Sequence, residues 1–404
     1  MGYIDLKYKT SKNDLICEFR IEPNKVSIKE AAETIAAESS IGTWTEVKTM
    51  KPRIKRLGAK VFEVKGNYVK IAYPSDLFES KNMPQILSSV AGNIFGMKTV
   101  KNLRLEDIYF PQNIAKSFKG PLYGIKGIRK LLKIPKRPLI GTIVKPKLGL
   151  NEKEHAQVAY EAWIGGVDIV KDDENLSSLK FNNFTKRIME TLKMRDKAER
   201  ETGERKIYMP NVTAETDEML VRADFVKENN GEYAMVDIIT TGWAGLQTLR
   251  EVNKYLKLVL HAHRAGHAAF TRGKHGVSML VISKIARLIG IDQLHIGTVV
   301  GKMEGSKDEI IKIDKFLKSK WFNIKTVFPV ASGGLYPGLL PKLIEIFGND
   351  IVIQAGGGIH GHKLGTQSGA KAMRQAVDAI IQNIDLNIYA KKHKELGIAL
   401  KQWG

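Results

Sequence analysis

The run Lys171-Asp172-Asp173-Glu174 crowds three acids and one amine into four residues, just after the apolar stretch Val167-Asp168-Ile169-Val170. Side chains alternate along an extended strand, so Lys171 and Asp173 share a face, and a chain turning just beyond brings Glu174 alongside. Two carboxylates and an amine then surround one point. Magnesium takes oxygen ligands, and an amine is not one. A neutral lysine that captures carbon dioxide becomes a carbamate, which is one. Taken alone, the tetrad reads as a lysine paired with its neighbours on a solvated turn. The rest of the chain has to decide.

Other groups able to do chemistry stand in short runs. Lys145 and Lys147 are two apart and share a strand face, where adjacent ammonium groups depress each other's pKa towards that of a working acid or base. His261-Ala262-His263-Arg264, with His267 beyond, offers a proton-transfer group in His263 and a planar anion fork in Arg264. His261 and His267 are expected to orient their neighbours, and His295 is a second candidate to hold an anion beside Arg264. Ser332-Gly333-Gly334 and Gly356-Gly357-Gly358 let backbone N–H groups approach a phosphate. Lys302, in Gly301-Lys302-Met303-Glu304-Gly305, is placed to swing over a substrate and neutralise charge. Two anion sites flanking one cation suggest a bisphosphate. His360 and His362 read as surface residues.

From Arg137 the chain repeats a short apolar strand, a polar or glycine-rich turn and an amphipathic helix. The expected strands are Leu139 to Val144, Val167 to Lys171, Ile207 to Val212, Ala234 to Ile239, Leu258 to His261, Gln293 to Ile296, Thr326 to Ala331 and Ile351 to Ala355. Their starts lie about 30 residues apart, which fits eight βα units closing into a TIM-type barrel, with an open doubly wound sheet as the alternative. Barrels of this kind do their chemistry where strands end, and the groups above follow strand ends. Asn211 and Thr240-Thr241-Gly242 also follow strands, without an assigned role. Strands around Gly66-Asn67 and helices near Ile28 to Ala37 and Met83 to Phe95 mark a smaller α+β domain over residues 1–122, with the (β/α)8 barrel over 123–404 and the linker around Phe118 to Gly127.

The 404 residues are 43% hydrophobic, enough for a real core, and hold one cysteine, so no internal disulfide forms. The amino terminus has no apolar signal region, and Lys284 and Arg287 interrupt the apolar stretch Met279 to Ile291. A cytoplasmic protein is expected, with no membrane partner. The net charge of +21 comes from lysines and arginines scattered among 43 acids, without a basic arm or an aromatic array, so nucleic acid is not the expected partner. Attraction of an anionic substrate and a solvated lysine-rich surface account for it.

Gly141-Thr142-Ile143-Val144-Lys145-Pro146-Lys147, the runs Gly165 to Asn175 and His261 to His267, His295-Ile296-Gly297-Thr298-Val299-Val300-Gly301-Lys302 and both glycine turns, taken in order, resemble the large subunit of ribulose-1,5-bisphosphate carboxylase/oxygenase (rubisco). Glu38-Ser39-Ser40-Ile41-Gly42-Thr43-Trp44 and Gly92-Asn93-Ile94-Phe95-Gly96 extend the likeness over nearly the full chain, which is most similar to the archaeal form III enzymes.

The resemblance implies carboxylation, with competing oxygenation, of ribulose 1,5-bisphosphate through a magnesium-stabilised enediol, in salvage of nucleoside-derived ribose phosphates such as that of AMP. It makes Lys171 the carbamylated lysine, binding Mg2+ with Asp173 and Glu174 and removing the C3 proton. Lys145 protonates the product side, tuned by Lys147, and His263 assists hydration and proton transfer. Lys302 holds the new carboxylate and pairs with Glu38 of the partner subunit. Thr43, Trp44, Gly333, Gly356 and Gly357 hold one phosphate, Arg264 and His295 the other, Ser332 a substrate hydroxyl, and the partner subunit's Asn93 reaches metal and substrate. A homodimer or a larger ring of dimers follows, without small subunits. The sequence departs from plant-type members at Ile143, Gly266 and Tyr336, where threonine, methionine and histidine are usual. A rubisco-like enolase of methionine salvage is the other enzymatic reading, and a catalytically vestigial binding barrel the non-enzymatic one. Both sit poorly with an intact His261 to Arg264 run and Lys302.

Overall fold

The computed structural model describes residues 2–300 and 307–403. Among them the strands are β1 (Asp14–Pro23), β2 (Lys60–Lys65), β3 (Tyr68–Pro74), β4 (Val100–Tyr109), β5 (Leu139–Ile143), β6 (Ile169–Lys171), β7 (Ile207–Met209), β8 (Tyr233–Asp237), β9 (Val259–His263), β10 (Gly276–Val277), β11 (Gln293–His295), β12 (Phe328–Ser332) and β13 (Val352–Gln354). All eight strands expected in the carboxyl-terminal part form one sheet, in the order β7-β6-β5-β13-β12-β11-β9-β8. Every pairing in it is parallel, and a parallel bridge between Asn211, just past β7, and Met235 of β8 joins its two ends. The sheet is therefore a closed barrel, not an open doubly wound layer. β9 and β12 run two and one residues further than the apolar runs implied, so His263 and Ser332 are held by strand pairing rather than by loops.

One end of the barrel is sealed. Leu139, Ile169, Ile207, Tyr233, Val259, Phe328 and Val352, each the first residue of its strand, pack with Ile125, Ile128 and Leu132 of the helix Gly124–Leu132. Burying one such side chain stabilises the fold by about 1.5–3 kcal/mol. With the amino end of the barrel filled by hydrocarbon, polar side chains collect at the carboxyl end.

The chain divides into two compact units, Met1–Lys119 with Gly266–Ile289, and Gly120–Ala265 with Gly290–Gly404. The first crossing, Lys119 to Gly120, lies within the linker Phe118 to Gly127, and the segment Gly266–Ile289 groups with the amino-terminal part. The reason lies in β4. Gly276 and Val277 of β10 pair in parallel with Arg104 and Leu105, the Arg104 guanidinium donates to Thr271 O at 2.6 Å, and the Ser278 hydroxyl donates to Glu106 O at 2.7 Å. Lys284 is ion-paired with Asp107. The sheet of this unit runs β10-β4-β1-β3-β2, with Gly66-Asn67 as the two-residue turn joining β2 to β3. The helix Ile28–Glu38 forms as expected, its first turn capped by the Ser27 hydroxyl accepting from Glu30 N. The second expected helix stops at Val90, and a separate 3-10 turn covers Asn93–Gly96. A Cβ on Gly92 would lie 2.1 Å from Ser88 O, so the chain turns there where only glycine fits.

Candidate active site

At the end of β6 the alternation of strand side chains sorts the acidic run onto two faces. Lys171, only 1% exposed, donates from Nζ to Asp172 O at 2.6 Å and lies 3.9 Å from Glu174 Oε2. It is not a lysine on a solvated turn. Burial pulls its pKa below the ordinary lysine value, against Glu174 and Asp173, which raise it. Asp173, 2% exposed, accepts from Lys145 Nζ at 2.7 Å and from Asn175 N–H at 3.2 Å. Lys147 goes elsewhere, to Asn175 Oδ1 at 3.1 Å on the rim. The two lysines thus serve different partners.

From Glu174 the site continues to β9 and β11. Glu174 Oε2 lies 3.7 Å from His263 Nε2, while His263 Nδ1 accepts from Ala265 N–H. The His263 and His295 rings meet edge to face at 4.9 Å, and His295 Nδ1 is 2.8 Å from the Ser332 hydroxyl. Burial pushes the His295 pKa well below the usual histidine range, with the cationic neighbours adding to it. The ring is therefore neutral, and its Nε2 is buried with no hydrogen-bond partner among the described residues. Arg264 lies against Gly297, whose missing side chain leaves room for the guanidinium: a Cβ there would be 2.9 Å from Arg264 Nη2. Burial lowers the Arg264 pKa to about 10, so it stays cationic at neutral pH.

The glycine turns close the ring. Gly333 and Gly334 have φ of 116° and 69°, conformations that glycine adopts without steric cost. Gly356 faces Lys145, with 3.4 Å between its Cβ position and Lys145 Cε, and a Cβ on Gly357 would meet nothing within 4 Å. A Cβ on Gly358 would lie 2.1 Å from Leu335 O, so the two turns are packed backbone to backbone.

The barrel unit accordingly brings together Lys145, Lys171, Asp173, Glu174, His263, Arg264, His295, Ser332, Gly333, Gly356 and Gly357, with Lys147 at the edge. Lys302 lies outside the described residues. Glu38, Thr43, Trp44 and Asn93 belong to the other unit: Glu38 ends its helix, Asn93 opens the 3-10 turn, Thr43 is exposed and Trp44 is 91% exposed. His360 and His362 are not the surface residues expected. His360 bridges the Thr142 and Thr366 hydroxyls at 3.0 and 3.1 Å, and His362 is buried against Glu395 O. His261 is held by Gln293 Oε1 at 2.9 Å, under His295.

Two residues were missed in their function. Asp172 faces away from the site into the layer of helices, and Asn211, a strand-end residue with no assigned role, reaches back to the acidic run. The signal for Asp172 was present. Arg187 interrupts the apolar stripe Phe184, Ile188, Leu192 of the following helix, and a buried arginine needs an acid.

A closed α/β barrel carrying a buried amine between two acids, with histidines, an arginine and glycine turns around them, defines an enzyme for acid–base chemistry on an anionic substrate. Comparison with known proteins narrows the class. Residues 124–403 match the family described as ribulose bisphosphate carboxylase large chain, catalytic domain, and residues 2–114 match the corresponding N-terminal domain. The ribulose bisphosphate carboxylase of Pyrococcus furiosus is 52% identical over 409 residues, covering 100% of this chain and 97% of that protein. Among solved structures, the octameric rubisco of Pyrococcus horikoshii, in complex with sulfate, is 50% identical, with a TM-score of 0.96 and coverage of 99% of this chain and 96% of that one. The dimeric archaeal rubisco of Hyperthermus butylicus is 44% identical, with a TM-score of 0.95, 100% of this chain and 98% of that one being covered. The chain belongs to the ribulose bisphosphate carboxylase large-chain family, among its archaeal members.

Proposed function

We propose that the chain is the catalytic subunit of a form III ribulose-1,5-bisphosphate carboxylase, adding carbon dioxide to ribulose 1,5-bisphosphate to give two molecules of 3-phosphoglycerate, with oxygen as the competing co-substrate. The observation that carries this reading is the Lys171 amine, buried beside Asp173 and Glu174, where burial lowers its pKa from the ordinary lysine value and makes the neutral amine easier to reach. Only the neutral amine attacks carbon dioxide. Among the described residues no group of three His, Cys, Asp or Glu side chains is arranged to hold a metal ion. The two acids need a third oxygen donor, and a carbamate on Lys171 is that donor, so Lys171, Asp173 and Glu174 fit Mg2+. When bound, the ion supplies Lewis-acid stabilisation of charge developing on substrate oxygens.

The chain's own groups do the rest. Lys171 would hold the carbamate that serves as base for the C3 proton; Lys145, beside it on Asp173, returns a proton on the product side, tuned by Lys147 at the rim. His263, next to Glu174, moves the proton of the hydrating water. With Nδ1 accepting from Ser332, His295 carries its proton on the unpartnered Nε2 and donates it to one phosphate beside Arg264. Gly333, Gly356 and Gly357 N–H groups receive the other phosphate with Thr43 and Trp44, and Ser332 binds a substrate hydroxyl. Lys302 holds the new carboxylate.

A solvent-facing indole at Trp44 supports a further subunit covering that surface, as do the octameric and dimeric relatives. The active unit is then a homodimer or a ring of dimers without small subunits, in which Glu38, Thr43, Trp44 and Asn93 serve the partner's barrel. Cytoplasmic salvage of ribose phosphates is the setting that the form III likeness supports. The test is to preincubate protein with Mg2+ and bicarbonate, add ribulose 1,5-bisphosphate and labelled carbon dioxide, and count acid-stable label in 3-phosphoglycerate. Lys171-dependent label, lost in Lys171→Ala, is expected. A folded protein that incorporates none overturns carboxylation and favours the enolase.

A further inference from the structure

We propose that Asp172 and Asn211 act together as positioning residues that hold the run Lys171 to Glu174 in register for carbon dioxide capture and cation binding, an inference that rests on the reading of that run given above. Asp172 is fully buried and points away from the site. Its Oδ1 accepts from the Tyr208 hydroxyl at 2.7 Å and lies 3.1 Å from His155 Nε2, while Oδ2 accepts from Asn211 N–H at 3.0 Å and Arg187 Nε at 3.2 Å. The carboxylate is thereby tied to β7 and to both flanking helices, Glu152–Ile164 and Phe184–Thr202. On the main chain, Asp172 N–H donates to Met209 O at 3.1 Å, and Asp172 O is the acceptor of the Lys171 amine. One residue is fixed from behind by its side chain and holds the reactive nitrogen in front by its carbonyl.

Asn211 carries the restraint to the next ligand. Its backbone N–H goes to Asp172, and its Nδ2 donates to Glu174 O and Leu176 O, both at 3.1 Å. Its Oδ1 is fixed in turn by Thr213 N–H at 3.1 Å. Asn211 is 1% exposed, so water cannot replace a bond it loses. Lys171 and Glu174 approach from different directions, one on a strand and one beyond its end. β6 stops at Lys171 and its pairing with β7 ends with the Asp172 N–H to Met209 O bond, so Asn211 is what links Glu174 back to β7.

Partners behind metal ligands commonly change metal affinity about ten- to hundredfold when removed. The test compares wild type with Asp172→Asn, Asn211→Ala and Tyr208→Phe, the last keeping every charge and remaining informative if Asp172→Asn does not fold. Labelled carbon dioxide is trapped on Lys171 by alkylating the carbamate and located by peptide mass spectrometry, the Mg2+ concentration that half-saturates trapping is measured, and thermal midpoints and KM for the bisphosphate are recorded alongside. Positioning predicts folded Asn211→Ala and Tyr208→Phe proteins that need about tenfold or more Mg2+, with KM changed less than about twofold. Variants that melt earlier yet trap carbon dioxide at the wild-type Mg2+ concentration would make the clamp merely structural and overturn the inference. A wild type that traps no label on Lys171 would overturn the carbamate reading itself, and the inference with it.

Discussion

Three imidazoles beneath and beside the site are kept neutral by burial, and that has a consequence for acid stability. The His261 pKa is pushed down to about 3 and that of His360 to about 4, both by burial first, and His295 falls in the same direction. In the unfolded chain these rings take up a proton near 6.5, whereas the folded protein resists doing so. The unfolded state therefore binds more protons below that value, and stability is lost as pH falls from about 6.5 towards the folded pKa values. Each such ring contributes a slope of about 1.4 kcal/mol per pH unit in that window. Thermal melts of His261→Gln from pH 7 to 4 are expected to fall less steeply than wild type by about one proton, and equal slopes would mean that His261 is already protonated in the fold. At this scale the sequence was generous with groups that face the substrate side and carried only one indirect sign of those behind them, Arg187 in a buried helix face. Lys145, Lys171, His263 and Arg264 stand in runs whose chemistry is visible in their types. Asp172 has no role assigned from the sequence in the same acidic run, because its opposite orientation becomes decisive only when Arg187, Tyr208 and Asn211 arrive from other elements.

Short parallel strands set the position of every loop at the carboxyl end, and the last two loops are locked to each other rather than only to their strands. The contact is the backbone of Gly358 against Leu335 and Tyr336. Gly358→Ala has to push those loops apart, at a cost of about 1–3 kcal/mol. It is expected to lower the thermal midpoint and weaken bisphosphate binding by calorimetry, while carbon dioxide trapping on Lys171 stays at the wild-type level, because β6 is not involved. Unchanged affinity would remove the glycine turns from the phosphate site. The eight barrel strands were legible as apolar runs at βα spacing. The segment Gly266–Ile289 was not, because β10 is two residues long and Met279–Ile289 has the same apolar helical pattern as any barrel helix. Its partner, β4, lies more than 150 residues away in the chain, a separation that no local pattern reports.

For the molecule as a whole, a net charge of +21 on a protein proposed to act on a bisphosphate bears on encounter rather than on the fold. Salt screens such attraction over a Debye length of about 8–10 Å near physiological ionic strength. Raising salt is thus expected to increase KM for the bisphosphate several-fold with kcat nearly constant, and a salt-independent kcat/KM would show that the surface charge serves something else. The route of the chain bears on how the protein can be cut into pieces. The chain crosses between its two units after Lys119, Ala265 and Ile289, so no uninterrupted stretch of the gene encodes either unit complete. A fragment of residues 1–119 made alone would therefore lack β10 and leave the β4 edge of its sheet without the partner that the intact chain supplies from far along the sequence.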